Sequence, residues 1–414
     1  MARGKKVTFA DLLDKNTYEK AVQQREENRE RDNRKAKRSF GYNDRYDDNE
    51  LINAYNFVSL GDPENIKRGE CKPGNLSGKI ICTLTNLTPL FTGGKKSEIQ
   101  VTNSKGKKIE HGQEFFLADD KNYLIAATSL KGTIRNVLEV VTTSCIKNVK
   151  EKGVPREFMP CSSEKKLCFA CRLFGTTGDN DNPDVQDTVS LGGRVFFTDA
   201  VLDKKSADVV SEVALIKALG QPHATYKNFY YEKDKRTIRG RKFYWHHGDK
   251  IDAGQNVNSY YNRCLKDKEP ARYNSSIQYL KPMNKFTFEV RFTRLTEEEL
   301  GVLIYSLELE NGMAHKFGKA KSLGLGSCEI KIDKLLLESE DKYKAFTKAY
   351  RDGDTKKYKD ECMKKYITDN RIEIKELKGI LSKKNGINFS KRSFPELKWF
   401  NKNKNTVLPK ILDY

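Results

Sequence analysis

The segment from Asn284 to Leu307 constrains the fold more than any other part of the sequence, because two hydrophobic periods follow one another in it. Apolar residues first alternate with polar ones, at Phe286, Phe288, Val290 and Phe292. That period of two predicts a half-buried strand. Thr296 to Glu299 then has the spacing of a capping box, and leucines and an isoleucine recur beyond it with helical spacing. A strand that leads directly into a helix predicts mixed α and β structure.

Similar signals recur along the chain. A helix is predicted after Thr128 and Ser129, which are placed to cap it, because apolar residues recur on one helical face from Leu130 to Val141. Further strands are predicted at Lys79 to Thr85, Gly192 to Asp199 and Ser327 to Ile332. The resulting order of strand, helix, strand, strand, helix, strand predicts an α+β protein with a ferredoxin-like (RRM-like) βαββαβ core.

Changes of composition divide the chain into three parts. Residues 1–50 are predicted to form a charged arm that either stays disordered or becomes ordered on RNA. Residues 51–334 are predicted to form the core, with a cysteine-containing insertion at about 143–175 and a basic, aromatic insertion at about 201–281. Residues 335–414 are predicted to form a basic, mainly helical extension, which contacts either protein or RNA. Its C-terminal tail is predicted to pack on the core.

The formal net charge of +20 points to a polyanionic partner. Binding to nucleic acid offsets the self-repulsion of such a chain and releases counterions from phosphates. Tyrosine and phenylalanine beside the cations add base stacking, which a membrane surface does not require. The sequence contains neither a run of 18 to 20 apolar residues nor the apolar centre of a secretory signal, so we expect a cytoplasmic protein that binds RNA.

Two segments have the residue types of a phosphate site. The glycine-punctuated loop combines close backbone approach with cations, in Gly318, Lys319, Lys321, Gly324 and Gly326. The start of the first core helix combines hydroxyls with cations one turn apart, in Thr128, Ser129, Lys131 and Arg135. The alternatives are a connection that needs left-handed backbone angles and a capped helix with a solvated basic face.

The stretch from Arg236 to His247 interleaves cations with flat rings, as a single-strand binding surface does. Its candidate RNA contacts are Arg239, Arg241, Lys242, Tyr244 and Trp245. A core strand with a charged lead-in is the alternative interpretation of the same pattern.

Closely spaced thiols indicate a metal site. Cys161, Cys168 and Cys171 have the spacing C-x6-C-x2-C in a stretch without clear periodicity, where one tetrahedral zinc ion can replace a missing apolar core. Cys145 is the predicted fourth ligand, with His223 or His246 as alternatives. The other interpretation is a set of free, partly buried thiols.

The sequence contains none of the common hydrolase motifs such as H-E-x-x-H or G-x-S-x-G. Three acidic residues before the first core helix are candidates for holding a divalent ion such as Mg²⁺ or Mn²⁺ near RNA, namely Glu114, Asp119 and Asp120. The alternative is that they are ordinary loop acids.

Several stretches together resemble the repeat-associated mysterious protein (RAMP) superfamily, and particularly the backbone subunits of type III CRISPR effector complexes. These stretches are LTPLFTGG at 87–94, TSLKGxxR at 128–135, CxxCRLFG at 168–175, GRVFFTDA at 193–200 and the glycine loop at 318–326. AYNFVSL at 54–60, RGRKFYWH at 239–246 and the closing PELKWF with LP look like one subgroup of these proteins. The resemblance covers about Ala54 to Cys328 and the last twenty residues.

The resemblance implies an RNA-recognition core that grips CRISPR RNA, with the helix start and the glycine loop near the RNA backbone. It implies target RNA, other RAMP-type backbone subunits and a large polymerase-like subunit as partners, and it strengthens the zinc interpretation. Asp199 looks like the acid of a family motif and is interpreted as structural. Related subunits cleave target RNA with an aspartate before the helix, whereas the matching position here lies near Gln113 and Glu114.

Three hypotheses follow for the function. The first is a guide-RNA-binding, structural subunit of a type III complex that acts in antiviral defence. The second is a metal-dependent endoribonuclease that cuts target or precursor RNA through Glu114, Asp119 or Asp120. The third is a stand-alone RNA-binding protein.

Overall fold

The structure, a computed structural model, describes residues 54–93, 96–97, 101–102, 108–109, 112–113, 117–118, 122–146, 153–177, 190–203, 214–216, 227–246, 275–277, 279–339, 349–383 and 407–413. All of them belong to the second of two compact units, Ile52–Tyr414. The charged arm expected at residues 1–50 and much of the insertion expected at 201–281 lie outside the described residues.

The elements alternate between strands and helices. The strands are β1 (Tyr55–Val58), β2 (Leu76–Asn86), β3 (Lys96–Ser97), β4 (Val101–Thr102), β5 (Lys108–Ile109), β6 (Gly112–Gln113), β7 (Leu117–Ala118), β8 (Asn122–Ile125), β9 (Val195–Phe197), β10 (Ala200–Leu202), β11 (Ala214–Ile216), β12 (Arg241–Tyr244), β13 (Ser275–Ile277), β14 (Lys285–Leu295), β15 (His315–Lys316), β16 (Ser327–Glu338) and β17 (Tyr350–Asp352). The α-helices are α1 (Ala127–Val141), α2 (Phe169–Phe174), α3 (Lys227–Tyr230), α4 (Glu297–Leu307), α5 (Thr355–Tyr366) and α6 (Ile372–Leu381). Turns of 3-10 helix lie at Pro63–Asn65, Arg156–Phe158, Glu164–Lys166, Lys321–Leu323 and Ile411–Asp413.

The main sheet has the strand order β15-β16-β2-β14-β10-β8-β7, with β17 beside β16 and β9 beside β14. Neighbouring strands in it are antiparallel. Its three long strands lie side by side in the order β16, β2, β14, so the last core strand neighbours the first. The predicted α+β class is confirmed by this sheet and the helices that connect its strands.

The core lies between one face of the sheet and the helices. Burial alternates strictly along β2 and over most of β14, as the period of two predicted. Ile80 and Leu84 of β2 and Phe286 of β14 are fully buried in one hydrophobic cluster with residues of α1 and α4. This burial fixes the register of the long strands, because a slip by one residue would turn their apolar side chains to solvent.

The start of α4 confirms the predicted capping box. The Thr296 hydroxyl accepts a hydrogen bond from the Glu299 amide at 3.2 Å, and the Glu299 carboxylate accepts one from the Thr296 amide at 3.0 Å. The buried Glu299 carboxylate also pairs with the guanidinium of Arg194, and Arg172 lies 3.9 Å away. The arginine of the GRVFFTDA stretch therefore ties β9 to the start of α4.

The start of α1 corrects the prediction that Thr128 and Ser129 cap it. The helix begins at Ala127, its N-cap residue Ala126 offers no side-chain acceptor, and both hydroxyl residues lie inside the first turn, exposed. The carboxylate of Asp199, between β9 and β10, accepts a hydrogen bond from the Ala127 amide at 2.7 Å instead. A residue distant in sequence thus supplies the missing acceptor.

The sheet continues across the boundary that the sequence predicted at residue 335. Strand β16 runs to Glu338 with Leu335 and Leu337 buried, and α5 then packs on α4. Residues 407–413 lie against β1 and α6, with Leu408 and Ile411 buried. Across the described ranges, no helix is long and apolar enough to cross a membrane.

Candidate functional site

The four predicted cysteine ligands meet at one buried point. Cys145 follows α1, Cys161 and Cys168 lie in the connection to α2, and Cys171 lies on α2. Their sulfur atoms all lie within 4.8 Å of one another. The Cys145 sulfur is 3.5 Å from that of Cys168 and 3.6 Å from that of Cys171.

This cysteine cluster fits a tetrahedral metal ion. Four thiolates about 2.3 Å from a zinc ion lie roughly 3.8 Å apart, which is close to the observed separations. The hydrogen bond that Cys168 shares with Cys145 lowers the pKa of Cys168 well below its ordinary value, and metal binding requires all four thiols to lose their protons. The cluster could therefore bind a metal such as zinc, with Cys145 completing the set.

Neither histidine alternative completes the cysteine cluster in the described residues. The ring nitrogens of buried His246 lie 2.8 Å from the Ser327 hydroxyl and 2.9 Å from the Ala314 carbonyl oxygen. His223 lies outside the described residues.

The cations of the α1 start differ in what they contact. Arg135 binds the Glu139 carboxylate at 2.7 Å and the Gly175 carbonyl at 3.2 Å, so its charge is engaged inside the protein beside the cysteine cluster. Lys131 is half-buried, with its ammonium 6.0 Å from the Phe174 ring centroid. Thr128 and Ser129 are exposed, and with Lys131 they form the outward part of this candidate phosphate site.

The arginine-rich stretch around β12 separates into an inner and an outer face. Arg239 is buried and donates to the carbonyls of Leu408 and Pro409. Arg241 is buried, donates to the carbonyls of Ser144 and Cys145 and lies 3.5 Å from the Glu139 carboxylate. The two guanidinium groups hold neighbouring segments in place, as the core-strand interpretation predicts.

Burial also alternates among the remaining candidate residues in and directly after β12. Trp245 is buried, whereas Lys242 and Tyr244 are half-buried on the opposite face of the strand from Arg241. Of the five candidate contacts in this stretch, only Lys242 and Tyr244 are therefore more than marginally exposed to solvent.

The glycine loop is held tightly against the LTPLFTGG stretch. The amides of Lys319 and Gly326 donate to the carbonyls of Phe91 and Pro89 at 2.7 and 2.8 Å. Gly318, Gly324 and Gly326 all have positive φ, and a Cβ on Gly326 would lie 1.9 Å from the Phe317 carbonyl oxygen. Glycine is required here because of backbone geometry and close packing together.

Two lysines of this loop and one in β15 just before it differ in burial. Lys319 is exposed, Lys321 is half-buried, and Lys316 of β15 is buried with its ammonium donating to the carbonyls of Gly324 and Leu325. Burial lowers the pKa of Lys316 to about 7, and nearby Lys321 acts in the same direction. The sequence analysis missed Lys316, because nothing in the local pattern distinguishes it from a surface lysine.

Lys242 and Lys321 lie among tyrosine rings. The Lys242 ammonium is 3.7 Å from the Tyr55 ring centroid and donates to the Tyr230 hydroxyl at 2.9 Å. The ammonium groups of Lys242 and Lys321 lie 5.4 and 5.2 Å from the Tyr244 ring centroid. These five residues are named the lysine–tyrosine cluster below. Sequence reasoning missed Tyr55 and Tyr230, whose only signal was that Tyr55 lies in the AYNFVSL stretch.

The sequence stretches that resemble the RAMP superfamily, called the family-like stretches below, contact one another in two groups. The glycine loop contacts LTPLFTGG through backbone hydrogen bonds and RGRKFYWH through the contact of Lys321 with Tyr244. The α1 start contacts GRVFFTDA through Asp199 and CxxCRLFG through Arg135. Sequence-distant motifs are thus neighbours, and each group has outward-facing lysines.

The candidate metal-binding acids Glu114, Asp119 and Asp120 lie outside the described residues. The nuclease role stays a prediction of the sequence.

Comparison with known families identifies the class of the protein. The family model of the RAMP superfamily matches residues 83–329, more than half of the chain. The chain therefore belongs to the RAMP superfamily of CRISPR-associated proteins, whose members generally bind CRISPR RNA and act in multi-subunit complexes. No curated protein matches the sequence significantly.

Proposed function

We propose that this protein is a CRISPR RNA-binding backbone subunit of a type III effector complex, which holds the guide and helps pair it with target RNA in antiviral defence. The observation that carries the proposal is the glycine loop with exposed Lys319, packed against a second family-like stretch. A loop so fixed presents its cations in one arrangement before RNA arrives, which reduces the ordering cost of binding.

The proposed contacts act mainly through phosphates. Lys319 and Lys321 of the glycine loop and Lys131, with Thr128 and Ser129, at the α1 start contact the RNA backbone. Such contacts position a guide without reading its sequence, as a protein that accepts many different guides requires. Arg135, Arg239, Arg241 and Trp245 support these surfaces from within, because their side chains are engaged or buried inside the protein.

The strand order supports a ferredoxin-like core. With β9 and β10 taken together as one core strand, the order β16, β2, β14, β9/β10 places the core strands in the sequence fourth, first, third, second. Helices α1 and α4 connect them as the two crossovers of a βαββαβ unit.

The proposal includes zinc as a structural ion at the cysteine cluster. Cys145, Cys161, Cys168 and Cys171 would hold it, and it would supply the cross-link that joins α2 to the end of α1. The proposed partners are CRISPR RNA, complementary target RNA, other RAMP-type backbone subunits and a large polymerase-like subunit.

The first test is to purify the chain together with the other products of its locus and to sequence the RNA that accompanies it. Short RNAs of uniform length that share a repeat-derived 5′ end are expected. Random RNA on a chain that never joins a complex would favour a stand-alone RNA-binding protein instead.

The contacts themselves are tested by the salt dependence of binding. Replacing Lys131 or Lys319 with alanine should weaken binding of single-stranded RNA and reduce the slope of log K against log salt by about 0.7 for each phosphate that is no longer neutralised. Lys331→Ala, an exposed lysine of β16, is the matched control. If both test variants keep the wild-type slope, these residues do not contact RNA.

The nuclease hypothesis has its own test in the assembled complex. Target cleavage that survives simultaneous alanine substitution of Glu114, Asp119 and Asp120 would remove these residues as the catalytic groups.

A further inference from the structure

Among the described residues, the lysine–tyrosine cluster holds two cations without an anion. Burial lowers the pKa of Lys242 to about 8, with a smaller effect from nearby Lys321, and burial lowers the pKa of Lys321 as well. In the described part of the chain, no carboxylate lies within ion-pair distance of either ammonium. Placing two partly desolvated like charges together opposes folding.

The surrounding groups are suited to one oxyanion. The aromatic faces of Tyr55 and Tyr244 stabilise the ammonium groups but leave them without a negative charge. The Tyr244 hydroxyl makes no hydrogen bond to any described residue, and burial raises the pKa of Tyr244 to about 12, so the phenol keeps its proton at neutral pH. Two ammonium donors and one hydroxyl donor thus lie around one ring.

The backbone beside Lys321 carries strain of the kind found at ligand sites. Ala320 is buried and has φ of +56°, a left-handed conformation that costs an alanine about 1 kcal/mol or more. This conformation begins the 3-10 turn Lys321–Leu323 that carries Lys321 to the cluster. The strained residue thus lies directly beside one of two cations that have no anion among the described residues, and a bound anion would offset the repulsion between those cations.

We propose that Lys242 and Lys321 jointly bind one backbone phosphate of the RNA, with the Tyr244 hydroxyl as a third donor. This inference rests on the proposed function and adds a specific place where the RNA backbone passes from the glycine loop to β12. We assign a phosphodiester rather than a side-chain carboxylate because Lys321 belongs to the glycine loop whose Lys319 is proposed to contact the RNA backbone, where phosphates follow one another.

The test measures binding of a fluorescein-labelled, unstructured single-stranded RNA to the full chain over a series of salt concentrations. Because one phosphate is shared, the double variant Lys242→Met with Lys321→Met should reduce the salt slope by about 0.7. A reduction of about 1.4 would mean two separate phosphates, and an unchanged slope would mean none. Either of these results would overturn the shared site.

Two further variants keep the test independent of folding defects. Tyr244→Phe removes only the hydroxyl, and we expect about tenfold weaker binding with a nearly unchanged slope. Replacing both lysines with arginine should retain the wild-type slope. Wild-type affinity in Tyr244→Phe would overturn the role of the hydroxyl.

The controls separate this site from the proposed function. Lys285→Met with Lys331→Met removes two exposed lysines of the main sheet and should leave binding unchanged. Failure of the wild-type chain to bind any RNA would overturn the proposed function and this site with it. Wild-type binding together with an unaffected double variant would overturn the site alone.

Discussion

Gly326 shows at the scale of one residue how the loop depends on its glycines. Its φ is +80°, and an added Cβ would lie 1.9 Å from the Phe317 carbonyl oxygen. We expect Gly326→Ala to lower the free energy of unfolding by about 2 kcal/mol or more, measured by urea denaturation, because the strained backbone and the clash act together.

Gly132 provides the contrasting substitution. It lies inside α1 with nothing within 4 Å of an added Cβ, so Gly132→Ala should raise the free energy of unfolding by about 0.5 to 1 kcal/mol. If both alanines destabilised the protein equally, the cost at Gly326 would be common to glycine replacement in this protein and would not come from its positive φ.

Single residues also mark where sequence reasoning ends. The spacing of the thiols predicted all four members of the cysteine cluster, since their types and distances along the chain are distinctive. The arginines of RGRKFYWH could not be sorted into inner and outer faces, because their partners at residues 144–145 and 408–409 are distant in sequence.

At the scale of elements, local signals predicted β14 and α4 well. Alternation and a capping box depend only on neighbours in the chain, so they can be detected without the fold. The pairing of β1 with β12 has no such local signal, since the paired residues Tyr55 and Tyr244 are far apart in the sequence. The cap of α1 was mispredicted for the same reason, because Asp199 lies 72 residues from Ala127.

Helix α2 is short, and the cysteine cluster is expected to hold it. We expect about one zinc ion per chain by elemental analysis of the purified protein, and Cys168→Ser should abolish stoichiometric zinc and lower the melting temperature, because a structural site stabilises the folded state alone. Cys71→Ser, at a half-buried cysteine outside the cluster, should retain zinc. Full zinc content in Cys168→Ser would exclude zinc from this site.

At the scale of the whole molecule, buried Lys316 couples stability to pH. Burial lowers its pKa to about 7 from an ordinary value of 10.5. Between these pH values the unfolded chain binds a proton that the folded chain lacks, so the contribution of Lys316 to stability rises with pH. Below pH 7 Lys316 is protonated in both the folded and the unfolded state, so it adds no pH dependence to the free energy of unfolding.

This linkage is measured against Lys316→Met. From about pH 7 to about pH 9.5, the free energy of unfolding of the wild type should rise relative to that of the variant. For Lys331→Met, at an exposed position, the free energy of unfolding should change with pH in parallel with that of the wild type. Parallel curves for the wild type and Lys316→Met would show that Lys316 is not desolvated in solution.

The segment at residues 407–413 has a consequence for how the protein is produced. The carbonyls of Leu408 and Pro409 accept hydrogen bonds from buried Arg239, and that of Pro409 also from Asn56. A version shortened to end at Leu381 would keep every described strand of the main sheet yet remove these two carbonyl acceptors from the Arg239 guanidinium. A chain whose end is chosen from the sheet alone should therefore aggregate during purification. The destabilisation should be greatest at the pair of strands β1 and β12, which carries Tyr55 and Tyr244.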